Sequence, residues 1–130
     1  MNKIFITSTL HHDWNLDFNP KICRALEQKN ILCHLPQRDT NQSGTPEEKF
    51  TQNFEGIKNS SKLLAIAKNE SINWGVEVGF AGGLNKKIVT LSEKGHDLPL
   101  MARGVVTKQI VVDDINKISA YIDELAEALF

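Results

Sequence analysis

Residues 62–91, KLLAIAKNESINWGVEVGFAGGLNKKIVTL, decide how the chain is read. An apolar run (62–67) leads into a polar loop, a helix-like stretch over about 74–85 and a second apolar run (86–91). Continuous apolar runs joined across one helix mark strands buried on both faces, the parallel βαβ unit. Working outward, the alternation repeats. KIFITS (3–8) and ILCHL (31–35) read as strands one and two, separated by a helix over about 20–29 that Asp17 or Asn19 can cap. Residues 36–45 read as a polar loop. The next helix opens on Thr45 as N-cap, Pro46 at the first position and Glu48 completing a capping box. Phe50, Phe54 and Ile57 form its expected core stripe. Beyond strand four, a loop with Gly95 and Pro99 precedes strand five (108–112) and a final amphipathic helix marked by Ile115, Ile118, Ile122 and Leu125.

The expected architecture is α/β: one flavodoxin-like, doubly wound domain over residues 1–130, with a five-stranded parallel sheet in the order 2-1-3-4-5 and helices on both faces. The chain's 130 residues suit a single core. A formal net charge of −1 with scattered lysines gives no electrostatic footprint for nucleic acid or an anionic membrane. No apolar run approaches the roughly 20 residues that span a bilayer, and no signal-peptide pattern opens the chain, so a cytoplasmic location is expected. Cys23 and Cys33 are not a CxxC pair and read as reduced core thiols. His11, His12 and Asp13 are adjacent and cannot all aim at one ion, so no metal and no cofactor is expected.

Within the 74–85 helix, one carboxylate breaks the pattern. At 100° per residue, Glu77 falls inside an arc formed by Val76, Phe80, Leu84, Ala81 and Trp74, while Gly75, Gly79, Gly82 and Gly83 gather opposite. Such a bare glycine face suits close approach by a strand or by a second subunit. In the expected topology ligands bind beyond the carboxyl ends of the strands, at the switch point between strands one and three. Thr7, Ser8 and Thr9 lie there as hydroxyl donors, and the loop SINW (71–74) opens on the same crevice. A partly desolvated carboxylate at such a crevice is suited to nucleophilic or acid/base chemistry. Asn53 falls between Phe50 and Phe54, where its amide needs partners and can stand beside Glu77. Trp14 and Trp74 are candidate stacking platforms.

These stretches resemble the nucleoside 2-deoxyribosyltransferase family, including its nucleoside 5'-monophosphate N-glycosidase branch. KIFITS is similar to the opening strand, FTQNFEGIKNSSKLLAIA (50–67) to the middle helix and strand, and SINWGVEVGFAGGLNKKIVTL (71–91) to the segment bearing the catalytic glutamate. The resemblance implies that Glu77 attacks the anomeric carbon of a (2'-deoxy)nucleoside or its 5'-monophosphate, and that the sugar passes to another base or to water. It implies that Asn53 orients the sugar or the nucleophile. It also implies substrate contacts from Thr7, Ser8, Thr9, Asp39, Ser71, Asn73, Trp74 and Gly75, and a homodimer or higher homo-oligomer. Asn53 and Ser61 stand where many members carry Asp, and SINW replaces a DxGT loop. Those departures motivate an alternative, a nucleotide-binding or sensor module without turnover.

Overall fold

The computed structural model describes residues 2–130. In chain order the elements are β1 (Lys3–Thr7), α1 (Asp13–Glu27), β2 (Leu32–His34), α2 (Pro36–Asp39), α3 (Pro46–Lys58), β3 (Lys62–Ile66), α4 (Ile72–Gly83), β4 (Lys87–Glu93), α5 (Leu100–Arg103), β5 (Lys108–Val112), a 3-10 turn (Ile118–Ala120) and α6 (Ile122–Leu129). The five strands are parallel and run β2-β1-β3-β4-β5, as expected. Because successive strand residues face opposite ways, the strands divide one apolar core between two layers. Ile4, Ile6, Leu64, Ile66, Val89 and Leu91 meet α1 and α6 through Phe18, Ile22, Leu26, Leu125 and Leu129. Phe5, Leu63, Ala65 and Ile88 meet α3, α4 and α5 through Ile57, Trp74, Val78, Ala81 and Ala102.

Several local expectations are corrected. Helix α1 begins at Asp13, well before residue 20, and carries Pro20 in its interior. Proline removes one backbone donor there, but Phe18, Ile22 and Leu26 bury the stripe and outweigh that loss. The 36–45 segment is not all loop, since α2 forms within it. The loop after β4 likewise contains α5. Thr45 caps α3 as expected, accepting the Glu48 N–H at 3.2 Å. Phe50, however, is 50% exposed and is not core; only Ile57 of that stripe is fully buried.

Helix α4 is turned differently from the expected arc. Trp74, Val78 and Ala81 face the sheet, whereas Val76 and Leu84 are exposed. Glu77 sits on the border between the two sides. The glycine face is not packed by a neighbouring strand. A Cβ on Gly82 would meet Val105 Cγ1 at 2.8 Å, but at Gly75, Gly79 and Gly83 it would find nothing within 4 Å. In a chain with this face open, Gly79→Ala in mid-helix would add up to about 1 kcal/mol of stability, so a lower thermal midpoint in this variant would show that something covers the face in solution.

Candidate active site

The segments after β1, β2 and β3 converge at the carboxyl ends of β1 and β3, where the chain's path across the sheet reverses. Two small, adjoining cavities lie there. One, about 120 Å³, is lined by Ser8, Thr9, Leu10, His11, Pro36, Asn53, Ser71, Asn73, Trp74 and Glu77. The other, about 180 Å³, is lined by Phe50, Asn53, Phe54, Asn73, Val76 and Glu77. Asn53, Asn73 and Glu77 belong to both walls.

Helix α4 begins at Ile72, two residues before the expected start, so Glu77 occupies its second turn. The favourable field of a helix N-terminus fades within one turn, and desolvation dominates. Burial pushes the Glu77 carboxyl up to about 7 from an ordinary 4.5, against the opposing pull of a hydrogen bond from Thr7. Thr7 Oγ1 donates to Glu77 Oε1 at 2.8 Å. The bond follows from strand geometry: Thr7 shares the face of Phe5, the α3/α4 side. Ser8, one residue on, points to the other layer and donates to Asn19 Oδ1 of α1 at 3.0 Å. Thr7 holds Oε1, and the Glu77 side chain borders both cavities.

Removing that donor has a defined consequence. Thr7→Val keeps the shape of a fully buried side chain but deletes the bond that favours the ionised carboxylate. The Glu77 carboxyl is expected to titrate about one pH unit higher in this variant, as followed by its side-chain carbon resonance; an unchanged titration would show that Thr7 does not favour the ionised form.

The remaining residues singled out from the sequence fall into place unevenly. Ser71 caps α4, accepting the Trp74 N–H at 3.1 Å, and still borders the cavity. Thr9 donates to the Asn69 carbonyl at 2.8 Å, which ties the loop after β1 to the loop after β3. Trp14 Nε1 donates to Asn69 Oδ1 at 2.9 Å, reinforcing the tie, and does not line either cavity. Trp74 is 2% exposed, and its indole N–H has no partner among the described residues. Asp39 lies away from Glu77. Its carboxylate accepts the Leu35 N–H and two Arg38 guanidinium donors, each at 2.9 Å. Burial raises its proton affinity, but the Arg38 contacts and the Leu35 N–H more than reverse this, and the group titrates below its ordinary range. Gly75 faces a separate, larger cavity of about 410 Å³ with Ile72, Gly79, Met101 and Val105. That space is mostly apolar, with Glu70 and Ser71 the charged and hydroxyl-bearing residues of its lining. Among the described residues, no three His, Cys, Asp or Glu side chains are grouped as metal ligands.

Sequence reasoning missed two contributors. Phe50 was assigned to the core and instead walls the Glu77 cavity, its ring 6.0 Å from that of Phe54. Thr40 Oγ1 donates to Asn53 Oδ1 at 2.5 Å and also meets His34 Nε2 at 3.1 Å. Neither residue carries a local motif; only the strand order brings the end of β2 beneath α3.

No protein-family model matches the chain, and no curated protein matches it in sequence. Solved structures do match over nearly the full length. A 2-deoxyribosyltransferase from the psychrotolerant bacterium Bacillus psychrosaccharolyticus is 19% identical with a TM-score of 0.75, covering 95% of each chain. A CMP N-glycosidase from Clostridium botulinum is 17% identical with a TM-score of 0.76, covering 95% of this chain and 98% of its own. The TIR domain of a Toll-related receptor from Hydra magnipapillata is 14% identical with a TM-score of 0.69, covering 97% of this chain and 96% of its own. The chain therefore has a fold shared by enzymes of nucleoside and nucleotide chemistry and by a receptor domain, and its function must be argued from the residues of the site.

Proposed function

We propose that the protein cleaves the N-glycosidic bond of a (2'-deoxy)nucleoside or its 5'-monophosphate, with Glu77 as nucleophile. The observation that carries this reading is the Glu77 carboxyl itself: desolvated, poised near neutrality, anchored through Oε1 by Thr7, and lining a polar cavity at the switch point. The resemblance of 71–91 to the glutamate segment of the deoxyribosyltransferases and the shared fold of two such enzymes support it.

In this mechanism Oε2 of ionised Glu77 forms a bond to the anomeric carbon as the carbon–nitrogen bond breaks. The bonding pair leaves with the base, which takes a proton at nitrogen from water. The resulting glycosyl ester is then opened by water or by a second base, restoring the carboxylate, as in two-step retaining glycosidases. Ser8, Thr9, Ser71, Asn73 and Trp74 surround the space a sugar and its substituent would fill. The test is a panel of deoxynucleosides, nucleosides and their monophosphates, with and without an acceptor base, followed by base release. No release on the whole panel would overturn the proposal. Nucleotide-induced thermal stabilisation without turnover would favour the binding-module alternative, which Asn53 in place of a carboxylate motivates.

A second copy of the chain is proposed to cover the open face of α4. Gly75, Gly79 and Gly83 offer close approach, and Ile72, Val76, Leu100 and Met101, each half or more exposed, surround it with apolar surface. Light scattering is expected to give at least a dimer, and Gly79→Ala to weaken it; a monomer at working concentration would exclude this contact.

A further inference from the structure

We propose that His34 and Thr40 are positioning residues that fix the Asn53 amide with its N–H2 group towards Glu77, so that the site selects a substrate offering an oxygen acceptor there, a furanose hydroxyl. The choice of substrate atom rests on the glycosidic reading; the orientation of the amide does not.

The argument starts from one proton. A threonine hydroxyl has a single hydrogen to donate. Thr40 Oγ1 lies 2.5 Å from Asn53 Oδ1 and 3.1 Å from His34 Nε2. A separation of 2.5 Å falls in the range of O–H···O bonds and below the usual range of N–H···O bonds, about 2.7–3.2 Å. The atom of Asn53 facing Thr40 is thus the carbonyl oxygen, and the Thr40 proton is spent on it. His34 Nε2 must then be the donor to Thr40, which sets the ring's tautomer.

The ring cannot easily turn to do otherwise. It stacks on Phe5 with centroids 4.9 Å apart and planes 22° from parallel. Its other side lies against Gly56 of α3, where a Cβ would come 2.8 Å from Nδ1 and 2.9 Å from Cε1. Gly56 is therefore the position that lets α3 settle over an imidazole. Desolvation lowers the His34 proton affinity, which favours the neutral ring assumed here.

With Oδ1 held by Thr40, the end of Asn53 left to the cavity shared with Glu77 is the N–H2 group. No residue among those described accepts from it. An aspartate at this position would offer a second anion beside Glu77; the clamped amide offers a donor. A hydroxyl oxygen of the substrate can accept from it without repulsion.

Two arms test this with the full-length protein. In the first, the nitrogen resonances of the His34 ring are recorded on 15N-labelled protein at pH 8, where no turnover is needed. A proton on Nε2 is expected. A proton on Nδ1 with Nε2 bare would overturn the proposal, because Thr40 would then donate to His34 and Asn53 would present its carbonyl. In the second arm, Thr40→Val is expected to lower kcat/KM about five- to tenfold, the worth of one neutral hydrogen bond, while Thr40→Ser restores it. In an Asn53→Ala background the Thr40→Val change is expected to cost nothing further. Equal losses in both backgrounds would make Thr40 merely structural and overturn the proposal. A wild-type protein that releases no base overturns the glycosidic reading and the substrate atom named here, while the protonation of His34 still decides the clamp.

Discussion

Glu77→Ala is expected to lower base release by about a thousandfold or more, with substrate binding largely kept. Nothing else in the cavity can take over the role. Of the residues lining the two cavities, Glu77 is the one carboxylate, and the other side chains are hydroxyls, amides, aromatics, aliphatics and His11. Covalent catalysis divides one difficult displacement into two easier ones; without the attacking oxygen only orientation and desolvation remain. The direct check is intact-mass analysis with a fluorinated nucleoside analogue that slows ester opening. The wild type should gain the mass of the sugar and the variant should not. Base release by Glu77→Ala at the wild-type rate would remove Glu77 from the chemistry.

Glu77→Gln is expected to be more stable than the wild type at pH 8, although inactive. The carboxyl binds its proton more tightly in the folded chain than in the unfolded one, about 7 against 4.5. The folded state therefore holds a proton that the unfolded state has lost between those values, and stability falls as pH rises through that window. The difference corresponds to about 3 kcal/mol, fully present below pH 4.5 and lost above pH 7. Glutamine keeps the shape and the Thr7 contact but has no charge to desolvate, so its stability should not carry this slope. Denaturant unfolding of both proteins at pH 5 and pH 8 checks it: near-equal midpoints at the lower pH, and a clear advantage for Glu77→Gln at the higher. Parallel pH dependence would mean that the carboxylate finds solvent in the native state. The site in this account is held at the expense of the fold, a common arrangement where a buried group must ionise to work.

The sheet was legible because its strands are continuous apolar runs, and runs of that kind have few alternatives once helices separate them. KIFITS, ILCHL, KLLAIA, KKIVTL and KQIVV all became strands within a residue or two of their expected limits. Short helices were not legible: α2 and α5 have four residues each, too few to show a period. The start of α1 was misplaced because Pro20 resembles a first-turn proline, whereas the helix tolerates it in mid-course. In the site, Glu77 and Asn53 stood out as polar residues within apolar stripes. His34 and Thr40 did not, since their meeting depends on how β2 and α3 lie across β1, a relation that no local pattern records. Phe50 misled for the opposite reason: its spacing is that of a core residue, and it faces a cavity instead.

The alternation along β1 has an implication for how the site tolerates change. Thr7 serves α4 and Ser8 serves α1, and which does which depends on the pairing of Ile4 with Lys62 and of Thr7 with Ala65. A slip of one residue would exchange them and would also drive Ile4 and Ile6 into the wrong layer. The bulky side chains at the start of the strand thus act as a keyway: they permit one seating, and in that seating a hydroxyl arrives opposite the carboxylate. Insertions in the loop between β1 and α1 leave that seating intact and act only through Ser8, Thr9, Leu10 and His11 at the cavity wall, while a single insertion between Lys3 and Thr7 would disarm the protein without touching Glu77.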